Sequence, residues 1–237
     1  MKNKIIFLTF ILLIAIIFCI YSGYNLVIWN IDNNKTKKIA NNIKIISKEE
    51  VNMDNTISID FTSLLLENKE IVGWIKVNNT NVDYPVVKHT DNEYYLNHSI
   101  DNSNNNAGWI FMDYRNNYNN LDFNTIIYGH GRRDGSMFGS LNNLLEEDWI
   151  NNKDNLVIKF TTINNSYLFK IFSIYVINTT NDYINTNYDK SLIEKMVNRS
   201  IYKFNDNISI NDKILTLSTC YNNDKKIVVH AKMIHYN

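Results

Sequence analysis

From Ile5 to Ile31 the chain reads IIFLTFILLIAIIFCIYSGYNLVIWNI, without one charged residue. About 20 apolar residues suffice for a helix to cross the hydrocarbon core of a bilayer. The run therefore predicts a transmembrane helix. Lys2 and Lys4 precede it, and positive residues favour the cytoplasmic side, so the expected orientation is N-in, C-out. Tyr21, Tyr24 and Trp29 would then stand at the outer interface, where amphipathic rings are favoured. A cleaved signal peptide is the competing reading, but the run is long for one and no clear A-x-A site follows. The chain divides accordingly. Residues 1–31 form a cytoplasmic tip and signal anchor, 32–56 a polar juxtamembrane arm expected to be helical, and 57–237 a folded extracellular domain.

The 24 basic residues balance the 24 acidic ones. Nucleic-acid binding normally leaves a basic surplus, so that class is set aside. The chain is 45% hydrophobic and 20% charged, as expected of a folded protein and not of a disordered one.

Beyond Ile71 the pattern changes to short runs rich in Ile, Val, Tyr and Phe. They are IVGWIKV, VDYPVV, GWIFMDY, NTIIYG, NLVIKF, YLFKIFSIYVIN, KILTLS and KIVVHAKMI. Most are separated by Asn, Asp or Gly clusters, and together they predict about eight strands in a sandwich or barrel. In the last run Ile227, Val229, Ala231 and Met233 fall on one face. Pro85 suggests an edge or a strand start. Three helical stretches interrupt or precede the strands. DFTSLLLENKE opens on the helix starters Asp60 and Thr62, and SMFGSLNNLLEEDWINN reads as one or two short helices. DKSLIEKMVNRSIYKF carries a capping-box pattern at Ser191 and Glu194, with Ile193, Met196, Val197 and Ile201 as the expected core stripe.

The two cysteines are Cys19, within the apolar run, and Cys220. Cys220 thus has no partner for a disulfide in the folded domain. A lone extracellular thiol is a liability unless it is buried or used. It follows KILTLST, a strand-like run ending in two small hydroxyl residues. An unperturbed thiol is only slightly ionised at neutral pH, so a nucleophilic role needs a nearby base or cation. Surface or structural roles account for His89, His98, His230 and His235. His130 differs, lying just past the strand TIIY between Gly129 and Gly131, where a rigid support can project it into a cleft. It is the best partner for proton transfer. Lys226, six residues after Cys220, would stand near the sulfur if the loop between them turns the chain back, and could hold a carbonyl oxygen. The alternative is a solvated loop lysine. No Cys and His spacing suggests a metal site.

The motifs TLSTC, TIIYGH, DGSMFGSL, VGWIKV, DYPVV and IFMDYRN resemble those of the class B sortases, membrane-anchored cysteine transpeptidases of Gram-positive bacteria. The resemblance runs in order from about Leu64 to Ile234. It implies a mainly β fold, an eight-stranded sortase-type barrel with added helices, so that 57–237 would be a sortase catalytic domain. It implies Cys220 as nucleophile and His130 as the proton-transferring residue. The family's third residue is an arginine, and Lys226 occupies that position. A lysine is a single point charge where arginine offers a planar fork of donors; Arg132 and Arg133 could substitute in charge. The same likeness places a substrate groove along Asn92, Leu96, Thr180, Tyr183, Ile184, Ser218 and Thr219. The implied partners are secreted proteins bearing a C-terminal sorting signal and an amine of a lipid-linked peptidoglycan precursor. The implied chemistry needs no metal or organic cofactor. A hydrolase on the same scaffold and a non-catalytic wall-associated domain are the alternatives that the lysine keeps open.

Overall fold

The structure is a computed structural model that describes residues 2–51, 57–222 and 224–236. Helix α1 (Lys2–Ile46) is continuous through the boundary expected at residue 31. Its apolar side chains from Ile5 to Ile31 are exposed, whereas Asn33, Thr36, Ala40 and Ile43 are buried against the barrel. One helix therefore serves two surroundings, consistent with a membrane anchor at its apolar end and a packing face at its polar end. The arm leaves helical geometry at Ile46 and pairs as a short hairpin, β1 (Lys48–Val51) with β2 (Ile57–Ile59). The part of the expected helical arm at 52–56 lies outside the described residues. Helix α2 (Phe61–Glu67) follows, and the Asp60 carboxylate caps it by accepting from the backbone N–H of Ser63 at 3.1 Å.

The eight sequence runs become eight strands. They are β3 (Ile71–Val77), β4 (Asp83–Val87), β5 (Phe111–Met112), β6 (Asn124–Tyr128), β7 (Val157–Thr162), β8 (Ser166–Asn178), β9 (Ile214–Tyr221) and β10 (Lys225–Tyr236). They close into a barrel in the order β10-β8-β7-β3-β4-β5-β6-β9. Closure leaves no free sheet edge. Pro85 pairs with Trp74 of β3, while β4 meets β5 only at Val87 and Phe111. The ring thus sits where a missing N–H costs little. Strand β7 alternates between buried and half-buried residues, as a one-sided strand should. Strand β9 is buried continuously from Ile214 to Thr219, because both of its faces are covered.

Ile75, Trp109, Phe138, Phe160 and Phe169 are fully buried inside the barrel, and each such side chain contributes about 1.5–3 kcal/mol by leaving water. A smaller apolar layer lies outside it. There Leu192 and Met196 of α4 (Lys190–Arg199) pack with Phe172, Tyr175 and Val228. The helix starts two residues earlier than the capping-box pattern suggests. Asp189 is its N-cap and accepts from the N–H of Ser191 at 2.8 Å, and an aspartate one residue ahead of the first turn outcompetes an interior serine. Its buried face is Leu192, Ile193 and Met196, while Val197 and Ile201 are exposed. The barrel surface accepts a narrower stripe than the periodicity offers.

His230, on β10, is buried between layers and is structural. Thr216 Oγ1 donates to Asn124 Oδ1 at 2.6 Å, so it must accept from His230 Nδ1 at 2.8 Å. Nε2 is then the acceptor for the Tyr175 hydroxyl at 2.9 Å. Burial pushes the imidazole down from 6.5 to about 3. The folded state therefore holds it neutral, and the unfolded chain takes up a proton below pH 6.5. This contribution to stability is complete above 6.5 and is lost as pH falls, at about 1.4 kcal/mol per pH unit. Urea unfolding at pH 7.5 and pH 5.0 should show that decline in the parent and a smaller one in His230→Gln. Equal declines in both would contradict the assignment.

Candidate active site

Strands β6 and β9 are neighbours and run parallel, with Tyr128 opposite Ser218. Two residues beyond that pair, both chains reach the same end of the barrel, one at His130 and the other at Cys220. The approach is close. A Cβ on Gly131 would lie 2.0 Å from the carbonyl oxygen of Cys220, a distance that only glycine relieves. Strand β10 returns antiparallel along β9 and places Lys226 directly opposite Cys220. Three separate stretches of sequence thus converge because a parallel pair and a hairpin share one strand.

Cys220, His130 and Lys226 line one cleft of about 250 Å³. The thiol is exposed. His130 is half-buried, and Nε2–H donates to the carbonyl of Leu96 at 2.8 Å. This bond fixes the ring and leaves Nδ1 as its other nitrogen. Burial holds the imidazole below its usual range, and the positive charge of Arg132 acts in the same direction. The ring has little room on its far side. A Cβ on Gly108, whose φ is +57°, would meet its Cδ2 at 2.9 Å and the carbonyl oxygen of Tyr95 at 2.4 Å. Lys226 is partly exposed and makes no ion pair among the described residues. Arg132 and Arg133 do not reach the cleft; they lie in a separate groove beside α1.

Of the expected groove residues, Asn92, Leu96, Ile184, Ser218 and Thr219 line the cleft. Tyr183 is buried behind it, with its hydroxyl 2.9 Å from Ser218 Oγ. It supports the wall and is not part of its surface. Thr180 is outside the lining and its hydroxyl accepts from the N–H of Asp182. Phe111, Tyr128 and Asn181 also line the cleft and were not among the expected residues.

The opposite wall is organised by a carboxylate that sequence reasoning passed over. Asp113 is fully buried. Its oxygens accept from Arg115 Nε and a second guanidinium nitrogen, both at 2.8 Å, from Tyr128 Oη at 2.9 Å, and from Asn92 Nδ2 at 3.0 Å. Arg115 also donates to the carbonyl of Ile184 at 2.9 Å. Three segments that form the wall, around Asn92, Tyr128 and Ile184, are therefore tied to one anion. Burial alone would raise the Asp113 pKa, but the hydrogen bonds from Arg115 and Tyr128 outweigh it and hold the carboxyl below the usual range. The motif MDYRN contains both members of the pair, yet nothing in its spacing indicates that they meet Asn92 and Tyr128. Among the described residues no cluster of His, Cys, Asp or Glu is arranged to hold a metal ion.

A family model described as the sortase domain matches residues 75–234. The sortase B of Staphylococcus aureus is 32% identical over 240 residues, covering 96% of this chain and 97% of that protein. A crystal structure of sortase B from Bacillus anthracis in complex with AAEK1 superposes with a TM-score of 0.76 at 34% identity, covering 86% of this chain and 98% of that one. A Staphylococcus aureus sortase B–substrate complex gives 0.68 at 36% identity, over 73% of this chain and 84% of that one. The barrel, its cleft and these likenesses define a sortase-type cysteine transpeptidase. The chain belongs to the sortase family and, within it, to class B.

The Asp113 node carries a test of its own. Replacing Asp113 by Ala leaves the Tyr128 hydroxyl and the Asn92 amide without their acceptor and should cost about 3 kcal/mol. Urea unfolding should show a correspondingly lower midpoint. A midpoint equal to the parent's would mean that the node does not hold the wall.

Proposed function

We propose that the protein cleaves a C-terminal sorting signal of secreted proteins and joins the new carboxyl end to an amine of a cell-wall precursor. The Cys220 thiol gives its proton to Nδ1 of His130, and the resulting thiolate Sγ attacks the scissile carbonyl carbon. The C–N bond breaks, and the leaving amine takes a proton from His130. A thioester between the substrate and Cys220 results. The acceptor amine then attacks this carbonyl, the C–S bond breaks, and the amine's proton passes to His130 as the thiolate is regenerated. Splitting one acyl transfer into two steps lowers each barrier. Lys226 steadies the oxyanion that forms in both steps.

The observation that supports this reading most directly is the convergence of Cys220, His130 and Lys226 on one cleft. The ring of His130 is set up to take the thiol proton. Its neutral form is favoured by burial, and its Nε2 is anchored to Leu96, so proton traffic falls to Nδ1. In this reading Asn92, Leu96, Ile184, Ser218 and Thr219 contact the substrate, Tyr183 acts through Ser218, and Thr180 meets the substrate only where it extends beyond the cleft. The expected orientation puts the barrel outside the cell, where α1 holds it within reach of both a secreted protein and a lipid-linked acceptor.

Lys226 faces Cys220 across a strand pair, which preserves the charge of the family's arginine without its planar fork. A sorting-signal peptide should yield amide product when an amine is supplied and little free acid. Lys226→Arg should keep or raise the rate. Lys226→Ala should lower kcat about 100-fold, the scale on which loss of one oxyanion donor acts. Free acid as the main product in the presence of amine would make the enzyme a hydrolase. A parental rate in Lys226→Ala would remove the cation from the reaction.

A further inference from the structure

The loop that follows His130 carries a second feature that the reaction does not use. Arg132 and Arg133 form one side of a groove of about 680 Å³ whose other side is α1, at Ser22, Asn25, Leu26 and Trp29. The guanidinium of Arg132 lies 5.6 Å from the Trp29 ring centre and donates to Asn33 Oδ1. Its Nε is buried and has no hydrogen-bond partner, an orphaned donor that calls for an acceptor. Arg133 is exposed and makes no ion pair among the described residues. Asp134 and Asp32 lie close enough for their charges to act on Arg132, but each has another partner. Asp134 pairs with Lys37 at 3.4 Å, and Asp32 accepts from Asn106 at 2.9 Å.

The depth of this groove matters. About 20 residues of α1 counted from Ile5 fill the hydrocarbon core, which brings Asn25 and Trp29 to the headgroup layer and Ser22 to its inner edge. Two arginines, two small polar side chains and an indole at that depth match a lipid phosphate and its glycerol better than any soluble ligand. Trp is favoured in that layer, and basic residues near the surface are drawn to anionic lipids.

We propose that this groove binds the phosphate headgroup of an anionic phospholipid of the surrounding bilayer, and that the bound lipid fixes the height and tilt of the catalytic cleft above the membrane. The coupling is short. The N–H groups of Arg132 and Phe138 both donate to the carbonyl of His130, at 3.1 and 3.0 Å. The Arg132 backbone is further boxed in by Gly139, where a Cβ would lie 2.0 Å from its carbonyl oxygen. A lipid held by Arg132 is thus held to the strand end that carries the histidine. The proposal rests on α1 being the membrane anchor, and its test separates the two.

Full-length protein is reconstituted into phosphatidylcholine nanodiscs containing a small fraction of photoactivatable phosphatidylglycerol, and crosslinked peptides are mapped by mass spectrometry. Crosslinks should concentrate at 22–29 and 131–133. Arg133→Gln, with Arg132 intact, should lower their yield about fivefold, the weight of one basic residue at an anionic surface. Peptide cleavage by the same variant in detergent should equal the parent's. Crosslinks spread evenly along α1, or a yield unchanged in both Arg133→Gln and Arg132→Gln, would overturn the proposal. So would an equal yield from photoactivatable phosphatidylcholine, or displacement of the probe by a substoichiometric polyprenyl diphosphate, which would give the groove to the lipid-linked acceptor. Failure to enter the nanodisc at all would count against the anchor, absence of cleavage by the parent in detergent against the transpeptidase reading, and loss of cleavage in Arg133→Gln alone against the separation of this groove from the reaction.

Discussion

The parallel pairing of β6 with β9 is the constraint on which the site depends. Parallel neighbours deliver their C-terminal ends to the same side of a sheet, and a fixed register decides which residues meet there. With Tyr128 opposite Ser218, His130 and Cys220 emerge at the same level although 90 positions separate them in the chain. The backbones come so close beyond the pair that Gly131 is required against the Cys220 carbonyl. Strand β10 completes the arrangement by hydrogen bonding to β9 on its other edge, which places Lys226 across from the sulfur. The rest of the barrel serves to hold β9 in the middle of this three-strand group, buried along its length up to Thr219.

The cleft is built from two walls of different character. One is sheet, fixed by backbone hydrogen bonds through β6, β9 and β10. The other is loop, and it is fixed by side chains converging on Asp113. A buried carboxylate in that position is stable only while its partners are present, so the loop wall is conditional on the sheet wall, which supplies Tyr128. Lys226 belongs to the sheet wall, opposite Cys220 on β10.

Much of this was readable from the chain because it depends on short-range pattern. The strand runs, the anchor and the thiol at the end of a buried strand announce themselves through periodicity and burial. The glycine-flanked place of His130 after a strand, and then the family likeness of TLSTC and TIIYGH, pointed to its pairing with Cys220; the physical cause, a parallel register, has no local signature. Asp113 and Arg115 sit two residues apart in a recognised motif, yet their contacts with Asn92, Tyr128 and Ile184 are all long-range. Helix α4 shows the smaller failures of local rules. A cap two residues earlier displaced Ser191, and the barrel buried Leu192 in preference to Val197 and Ile201. The contact of α1 with the loop after His130 was invisible for a different reason, because an anchor run and a soluble domain are read separately until the helix is seen to continue from one into the other.

The central claim is that β6 and β9 bring one sulfur and one imidazole into a single acyl-transfer site. Peptide mapping by mass spectrometry of enzyme incubated with a sorting-signal peptide, with no amine supplied, tests it most directly. The account predicts an acyl fragment on Cys220 alone, released by hydroxylamine as a thioester should be, and absent when His130 is alanine. An acyl group mapped to any other residue, or undiminished on Cys220 in the His130 variant, would contradict it.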